Sequence, residues 1–268
     1  MSQRPAVSIL IPVFNEAPRL PALFRALGRL RLPAEVVAVD DGSADGSGAL
    51  LRRWAARDRR HRVLAHPRNR GKGAAIRTAL RSARGRTVVL LDADLECDPG
   101  DIPKLLAVLA RHPNAAVFGT RFPHGFGVPL SARVATTRGG SPKRESPQPP
   151  PVSSPAGTRL ANRLLTGTVN LLYGTRLTDM ACGYKALPAA RLRALRLTAT
   201  RFELEAELTA GLLHQGIHII EAPIRYRPRS YLEGKKIHPL DGLRILWRLL
   251  LLRIRIRHPI SRPRPVVR

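Results

Sequence analysis

Cysteine is scarce in this sequence, with Cys97 and Cys182 as the only two. Two cysteines cannot build the disulfide framework of a small secreted domain, so the sequence indicates a reducing compartment. Residues 1–6 lead straight into a strand pattern, without the apolar segment of a signal peptide. We therefore expect a cytoplasmic protein.

Long apolar runs and nucleotide-binding glycine motifs are missing as well. The longest apolar run near the C-terminus, residues 249–252, is far shorter than the roughly 20 residues that a membrane-spanning helix needs. No Gly-x-Gly-x-x-Gly follows the first predicted strand, and no Gly-x-x-x-x-Gly-Lys-Ser/Thr occurs. These absences argue against a Rossmann dinucleotide site and a P-loop.

Acidic residues are few beside the basic ones. The chain has 19 Asp and Glu against 46 Lys and Arg, and its formal net charge is +27. Residues 225–268 contain 13 Lys and Arg against two acids, which is a local net charge of +11. Such a block suits an anionic membrane surface, a phosphorylated ligand or nucleic acid. Aromatic residues make up only 4% of the chain, which weakens a nucleic-acid role based on base stacking.

Strand-length apolar runs alternate with helix-period segments through the first 120 residues. This alternation predicts an α/β fold with a doubly wound, mostly parallel sheet and right-handed crossovers. The predicted strands are residues 7–13, 35–40, 62–66, 87–91 and 115–119. A later run, residues 217–224, contains Pro223 and is therefore expected at an edge of the sheet.

The densest acidic stretch directly follows the fourth predicted strand. Asp92, Asp94, Glu96 and Asp98 occupy every second position, so an extended segment places them on one side. The carboxyl ends of parallel strands are where open α/β sheets bind ligands. Hard oxygen donors there suit Mg²⁺ or Mn²⁺ held together with phosphate oxygens. Taken alone, the stretch is also compatible with a solvated turn that caps a helix.

Polar residues follow the other predicted strands too, and they make a single site at this edge the better interpretation. These residues are Asn15, Glu16, Asp40, Asp41, Lys72 and Arg121. Lys72 lies between two glycines at a predicted helix start, an arrangement that suits an anion.

Two later segments differ in composition from the rest. Residues 139–155 contain six prolines and almost no apolar residues, so we expect a flexible insertion spanning residues 123–156. Residues 241–257 mix Leu, Ile and Trp with Arg, which favours an amphipathic helix in a membrane interface. A helix packed on the domain is the alternative. We expect one domain over residues 1–238, followed by a basic helix and tail over residues 239–268.

Taken together, these segments resemble the family 2 glycosyltransferases with the GT-A fold, of the dolichyl- or polyprenyl-phosphate mannosyl- or glucosyltransferase type. The resemblance covers most of the chain except residues 123–156 and the last dozen. The matching segments are residues 7–16, 39–43, 69–74, 92–94, 119–121, 162–165, 177–180, 182–185, 202–205 and 229–236.

The resemblance implies a role for each candidate residue. The nucleotide side would be formed by Pro12, Phe14, Glu16, Asp40, Asp41 and Lys72, and by Asp92 and Ala93 of the Asp92–Ala93–Asp94 motif. The metal would be held by Asp92, Asp94 and Glu96, although relatives often carry Gln at the last position. The phosphates of donor or acceptor would meet Arg121, Arg229 and Lys235.

The implied reaction is a metal-dependent, inverting transfer of mannose from GDP-mannose, or glucose from UDP-glucose, to a polyprenyl phosphate. The protein would work peripherally at the cytoplasmic membrane face, alone or with an integral-membrane partner. A lipid phosphate is already anionic at neutral pH and needs little general-base help. A sugar hydroxyl would need a base, for which Asp179 is the candidate, unless Asp179 only organises its loop. The alternatives are a soluble or polysaccharide acceptor and, more remotely, a non-catalytic nucleic-acid-binding protein; we expect no nucleic-acid partner.

Overall fold

The computed structural model of the protein describes residues 5–122, 156–229 and 239–255. For residues 156–158, 239, 240 and 255 it describes the backbone alone. Seven strands form one sheet in the order β3-β2-β1-β4-β6-β5-β7. The strands are β1 (Val7–Val13), β2 (Ala34–Asp40), β3 (His61–Ala65), β4 (Thr87–Leu90), β5 (Ala116–Thr120), β6 (Lys185–Pro188) and β7 (Ile219–Pro223). The predicted α/β fold with a mostly parallel sheet is confirmed, and β7 lies at the edge that Pro223 predicted.

Strand β6 is not among the predicted strands. Strand β6 lies between β4 and β5 and pairs antiparallel with both. Strands β4 and β5 therefore run in the same direction without being adjacent. The four residues of β6, Lys-Ala-Leu-Pro, are too few to show a strand period. The pairing of Leu90 with Lys185 places the segment before β6 beside the end of β4, next to the acidic stretch.

The described residues contain eight α-helices. They are α1 (Leu20–Gly28), α2 (Ser47–Ala55), α3 (Lys72–Ser82), α4 (Ile102–Arg111), α5 (Ala156–Tyr173), α6 (Ala189–Ala194), α7 (Leu204–His214) and α8 (Pro239–Arg255). Alternate residues of β1 enter different cores: Ile9 packs with α1, α2 and α4, and Leu10 packs with α3, α6 and α7. Burying each such side chain stabilises the fold by about 1.5–3 kcal/mol.

Helix α8 packs on the domain through its inner face. Ile245 and Leu249 join a third apolar cluster with Leu165 and Val169 of α5. The outer face leaves Trp247 64% exposed. Within the described residues, no helix combines the length and apolar character needed to cross a membrane.

Candidate active site

Arg229 forms ion pairs with three acidic side chains at the edge of the sheet where the parallel strands end. Arg229 Nη1 lies 3.2 Å from Glu16 Oε1, Nη2 lies 2.9 Å from Asp94 Oδ2, and Nε lies 3.1 Å from Glu96 Oε1. Glu16 follows β1, the two other acids follow β4, and Arg229 comes after β7. The structure therefore brings together four of the residues predicted for the site.

Burial and neighbouring negative charges oppose the ionisation of Asp94. Burial, followed by the charges of Asp92 and Glu96, raises the pKa of Asp94 to about 7. Burial works against the charge of Arg229, but Asp94 and Glu16 outweigh it and raise the arginine pKa. The pKa of Asp94 is raised although Arg229 lies against it, so additional positive charge beside Asp94 would favour the ionised carboxylate.

A second charged group lies between the end of β4 and the core. Lys72 Nζ is 2.8 Å from Asp92 Oδ2 and 3.1 Å from Glu205 Oε1, and Lys185 Nζ pairs with Glu205 Oε2. Lys72 and Asp92 are predicted site residues, whereas no role is predicted for Glu205 or Lys185. Both lie in segments that carry the family resemblance, Lys185 in residues 182–185 and Glu205 in residues 202–205, and this is the signal that points to them.

The backbone of residues 199 and 200 packs closely against the start of α3. The N–H of Ala74 donates to the carbonyl oxygen of Thr200 at 3.2 Å. A Cβ at Gly71 would lie 2.4 Å from the Thr200 oxygen, and a Cβ at Gly73 would lie 2.3 Å from the Ala199 oxygen. The glycines therefore allow a close backbone approach. The anions that Lys72 meets here are Asp92 and Glu205, and its role toward a nucleotide stays a prediction.

The residues predicted to hold base and ribose lie around the ends of β1 and β2, with different exposures. Pro12 and Phe14 are half-buried. Asp40 accepts the N–H of Ser43 at 3.0 Å. Asp41 is 2% exposed, and its carboxylate contacts His66 Nδ1 at 2.6 Å and accepts the N–H groups of residues 70 and 71. Asp41 therefore holds the loop that leads to Lys72, and its role toward a nucleotide stays a prediction.

Arg121 and Asp179 form a buried bidentate pair. Arg121 Nε and Nη2 each lie 2.7 Å from an Asp179 oxygen, Asn162 donates to Asp179 at 3.0 Å, and the Asp179 side chain is 0% exposed. Glu221 accepts the N–H of Asp179 at 2.8 Å. A general base must reach its substrate, so this geometry favours the alternative in which Asp179 organises its loop.

The three predicted metal ligands are not assembled into one cluster. Asp92 turns to Lys72, and Glu96 contacts Arg229 and the hydroxyl of Tyr226, the latter at 2.9 Å. Within the described ranges, no group of three or more His, Cys, Asp or Glu could hold a metal ion. A Mg²⁺ or Mn²⁺ ion that takes one or two carboxylates and completes its shell with phosphate oxygens and water fits these residues. The metal assignment stays a prediction.

Two further predictions fall on residues that the structure does not describe. Lys235 lies outside the described residues, as does the insertion except for Ala156, where α5 begins.

Comparisons with known proteins identify relatives that match most of the chain. The model of Glycosyl transferase family 2 matches residues 8–165. The undecaprenyl-phosphate 4-deoxy-4-formamido-L-arabinose transferase of Pseudomonas fluorescens SBW25 is 30% identical over 234 residues, which are 85% of this chain and 59% of that protein. Its counterpart in Pseudomonas aeruginosa LESB58 is 44% identical over 105 residues, 37% of this chain and 31% of that protein. The chain thus spans less than two thirds of the length of these relatives.

Solved structures share the fold at low sequence identity. Glucosyl-3-phosphoglycerate synthase of Mycobacterium tuberculosis, in complex with Mn²⁺, UDP-glucose and phosphoglyceric acid, superposes with a TM-score of 0.63 at 17% identity, covering 94% of this chain and 80% of that one. A mannosyltransferase of Pyrobaculum calidifontis, in complex with GDP-mannose and Mn²⁺, gives 0.56 at 19% identity, covering 94% and 70%. These likenesses confirm the expected GT-A fold. Because the family model also matches more than half of its residues, this chain belongs to the family 2 glycosyltransferases.

Proposed function

We propose that this protein transfers a sugar from a nucleoside-diphosphate donor to a polyprenyl phosphate, with Mg²⁺ or Mn²⁺ as cofactor. The observation that carries the proposal is the group of Glu16, Asp94 and Glu96 around Arg229 at the carboxyl edge of the sheet. Sequence similarity to undecaprenyl-phosphate transferases supports the lipid acceptor.

The site chemistry suits a diphosphate leaving group. A divalent ion held by Asp94 and Asp92 would supply positive charge to stabilise the departing nucleoside diphosphate. Burial and the charges of Asp92 and Glu96 raise the pKa of Asp94 to about 7, so a divalent ion there would favour its ionised form. Arg229 already supplies positive charge at this position and is well placed to contact a phosphate once Asp94 has another partner.

The acceptor chemistry agrees with the buried state of Asp179. A lipid phosphate attacks as an anion, so the protein has to bind and orient it rather than remove a proton. The arginine that pairs with Asp179, Arg121, has 14% of its side chain exposed and lies at the same sheet edge. We assign to it the contact with an acceptor or donor phosphate.

The sequence relatives and the structural neighbours are associated with different sugars. The predicted donors were GDP-mannose and UDP-glucose, which occur in the complexes of the structural neighbours. The sequence relatives are named for 4-deoxy-4-formamido-L-arabinose. We propose that the transferred sugar is a hexose, mannose or glucose, or this pentose derivative. A functional test has to offer the nucleotide-linked form of each of these three sugars.

An apolar surface on α5 and α8 supports attachment to a membrane. Among the described residues, every exposed large apolar side chain lies on one of these two helices, which pack together through the third apolar cluster. They are Leu160, Leu164, Leu171, Leu243, Trp247, Leu250 and Ile254. Arg163 and Arg244 are exposed beside them. Trp and Leu flanked by arginines suit the interface of an anionic bilayer, so we propose a peripheral position at the membrane.

Trp247→Glu is expected to reduce binding to vesicles of phosphatidylglycerol and phosphatidylcholine about fivefold or more, because it places a charge in the apolar face. Co-sedimentation measures the bound fraction. Arg53→Gln is the control, because Arg53 is exposed on α2 and its loss changes the net charge by the same single unit. Equal losses in both variants would show that net charge alone drives binding.

The proposed function is tested by radiolabelled sugar transfer. GDP-mannose, UDP-glucose and a nucleotide-linked 4-deoxy-4-formamido-L-arabinose are offered separately with Mn²⁺ and undecaprenyl phosphate, and label is counted in the organic phase. We expect one donor to label the lipid and EDTA to abolish the labelling. Label in a water-soluble product instead would establish a soluble acceptor, and absence of transfer from all three donors would refute the proposal.

Gly183→Ala is expected to weaken binding of UDP or GDP with Mn²⁺ at least about tenfold, as measured by calorimetry. An added Cβ would lie 2.3 Å from Asp92 Oδ2 and 2.7 Å from Lys72 Nζ, so it displaces this pair. The control is Gly167→Ala in α5, where a Cβ meets nothing within 4 Å. Unchanged affinity in Gly183→Ala would exclude the Lys72–Asp92 pair from the donor site.

A further inference from the structure

A line of four alternating charges runs from the core to the candidate site. Lys185 on β6, Glu205 on α7, Lys72 on α3 and Asp92 after β4 follow one another in space. Exposure of the side chains rises along this line, from 1% at Lys185 and 5% at Glu205 to 14% at Lys72 and 32% at Asp92. Two cations and two anions leave the line electrically neutral, which is the condition under which buried charges are tolerated.

The inner end of the line is held firmly. Lys185 Nζ donates to the carbonyl oxygen of Cys182 and lies 4.5 Å from the ring centroid of Phe118. These contacts fix the ammonium that binds one oxygen of Glu205, and they leave the other carboxylate oxygen facing Lys72. Although burial opposes ionisation of Glu205, Lys185 and Lys72 lower its pKa, so it stays a carboxylate.

The position of Lys72 and Asp92, at the outer end of the line, depends on Glu205. A lysine paired with a single, partly exposed carboxylate is weakly restrained, because such pairs contribute at most about 1 kcal/mol. Lys72 has Glu205 on one side and Asp92 on the other, so its ammonium is held from two directions. A displaced Lys72 would leave Asp92 free to rotate.

We propose that Glu205, anchored by Lys185, is a positioning residue that holds Lys72 against Asp92 and thereby orients this carboxylate for the donor diphosphate. The proposal deepens the proposed function and rests on it for the identity of the donor. Its structural content, that Glu205 restrains Lys72, is independent of the reaction.

The test separates positioning from simple charge balance. Glu205→Gln leaves Lys185 without a carboxylate in the core, so it should lower Tm as well as loosen Lys72. In Lys185→Met/Glu205→Gln the buried lysine is gone too, and neutrality returns as one Lys72–Asp92 pair. Removing both partners of a buried ion pair is often neutral for stability. We therefore expect the double variant to recover most of the lost Tm while Lys72 stays loose.

Two readouts follow Lys72 and the donor site separately. The chain has only six lysines, so ¹⁵N-lysine labelling gives few ammonium signals, and Lys72→Met and Lys185→Met assign the two buried ones. We expect the Lys72 ammonium to exchange its protons at least about fivefold faster in both Gln variants. We also expect the affinity for UDP or GDP with Mn²⁺ to fall about tenfold in both.

Glu35→Gln is the matched control for loss of a buried carboxylate. Glu35 pairs with Arg62 at 2.6 Å near the opposite end of β2, so its replacement should lower Tm without altering Lys72 exchange or nucleotide affinity. Slow Lys72 exchange or wild-type affinity in the double variant would overturn the positioning role. If that variant does not fold, Glu205→Asp gives the same readouts with the charge retained. Absence of nucleotide binding by the wild type would refute the proposed function, while the ammonium exchange would still decide the role of Glu205.

Discussion

Asp94→Asn is expected to lower sugar transfer by roughly 10²–10³-fold or more while the protein stays folded. The substitution removes the charge that the proposed metal site needs and preserves the shape of the side chain. Stability should change little, because Arg229 keeps Glu16 at 3.2 Å and Glu96 at 3.1 Å. The measurement is initial rate of lipid labelling, with circular dichroism to verify the fold.

Asp98→Asn is the matched control for this prediction. Asp98 belongs to the same acidic stretch, but its side chain is 37% exposed and pairs with Arg225 at 2.8 Å, away from Arg229. An asparagine there can still accept the N–H of Gly100, which Asp98 accepts at 2.7 Å. We expect its activity to stay within about twofold of the wild type, as for an exposed ion pair. Equal losses in both variants would mean that the acidic stretch acts through its overall charge and that no single carboxylate is special.

Asp179→Ala is expected to destabilise the protein by about 3–5 kcal/mol, because it leaves the Arg121 guanidinium without its buried partner. Asp179 is 0% exposed and binds Arg121 through both oxygens at 2.7 Å. Burial opposes the charge of Arg121, and in the intact protein Asp179 offsets this by raising the pKa of the arginine well above its ordinary value. Asp179→Ala removes that compensation, while a guanidinium is too basic to lose its proton at neutral pH. Tm should fall by roughly 10 °C, measured by calorimetry.

Two further variants test whether the loss of stability in Asp179→Ala comes from the unpaired buried arginine. Asp58→Asn breaks a pair with Arg60, whose side chain is 63% exposed, and should cost less than about 1 kcal/mol. Arg121→Met/Asp179→Leu removes both buried charges and should recover part of the stability lost in Asp179→Ala. A fully stable Asp179→Asn protein that loses activity only toward a hydroxyl acceptor would instead restore Asp179 as a general base.

Much of the fold follows from patterns among neighbours in the chain. The apolar runs of β1, β2 and β4 are buried on both faces, as is typical of strands inside a parallel sheet. The position of β7 at an edge follows from Pro223. Strand β6 could not be predicted in this way, because it is four residues long and owes its conformation to pairing with β4 and β5.

The candidate residues were found from the sequence because turn chemistry and strand ends are local features. Asp92, Asp94 and Glu96 follow directly on an apolar strand, and a parallel sheet places such strand ends at one edge. Which residues pair with one another could not be predicted from local features. Arg229 lies 135 residues from Asp94 and 213 from Glu16, and Lys72 lies 20 residues from Asp92.

Sequence pattern alone therefore establishes the α/β class, the edge of the sheet that carries the site and the residue types gathered there. The tertiary structure decides how the charges pair: Arg229 with Asp94 and Glu96, Lys72 with Asp92 and Glu205, and Arg121 with Asp179. The reason is physical. Periodicity and turn preference act between residues close in the chain, whereas an ion pair depends on which strand ends become neighbours and on how much water their packing excludes.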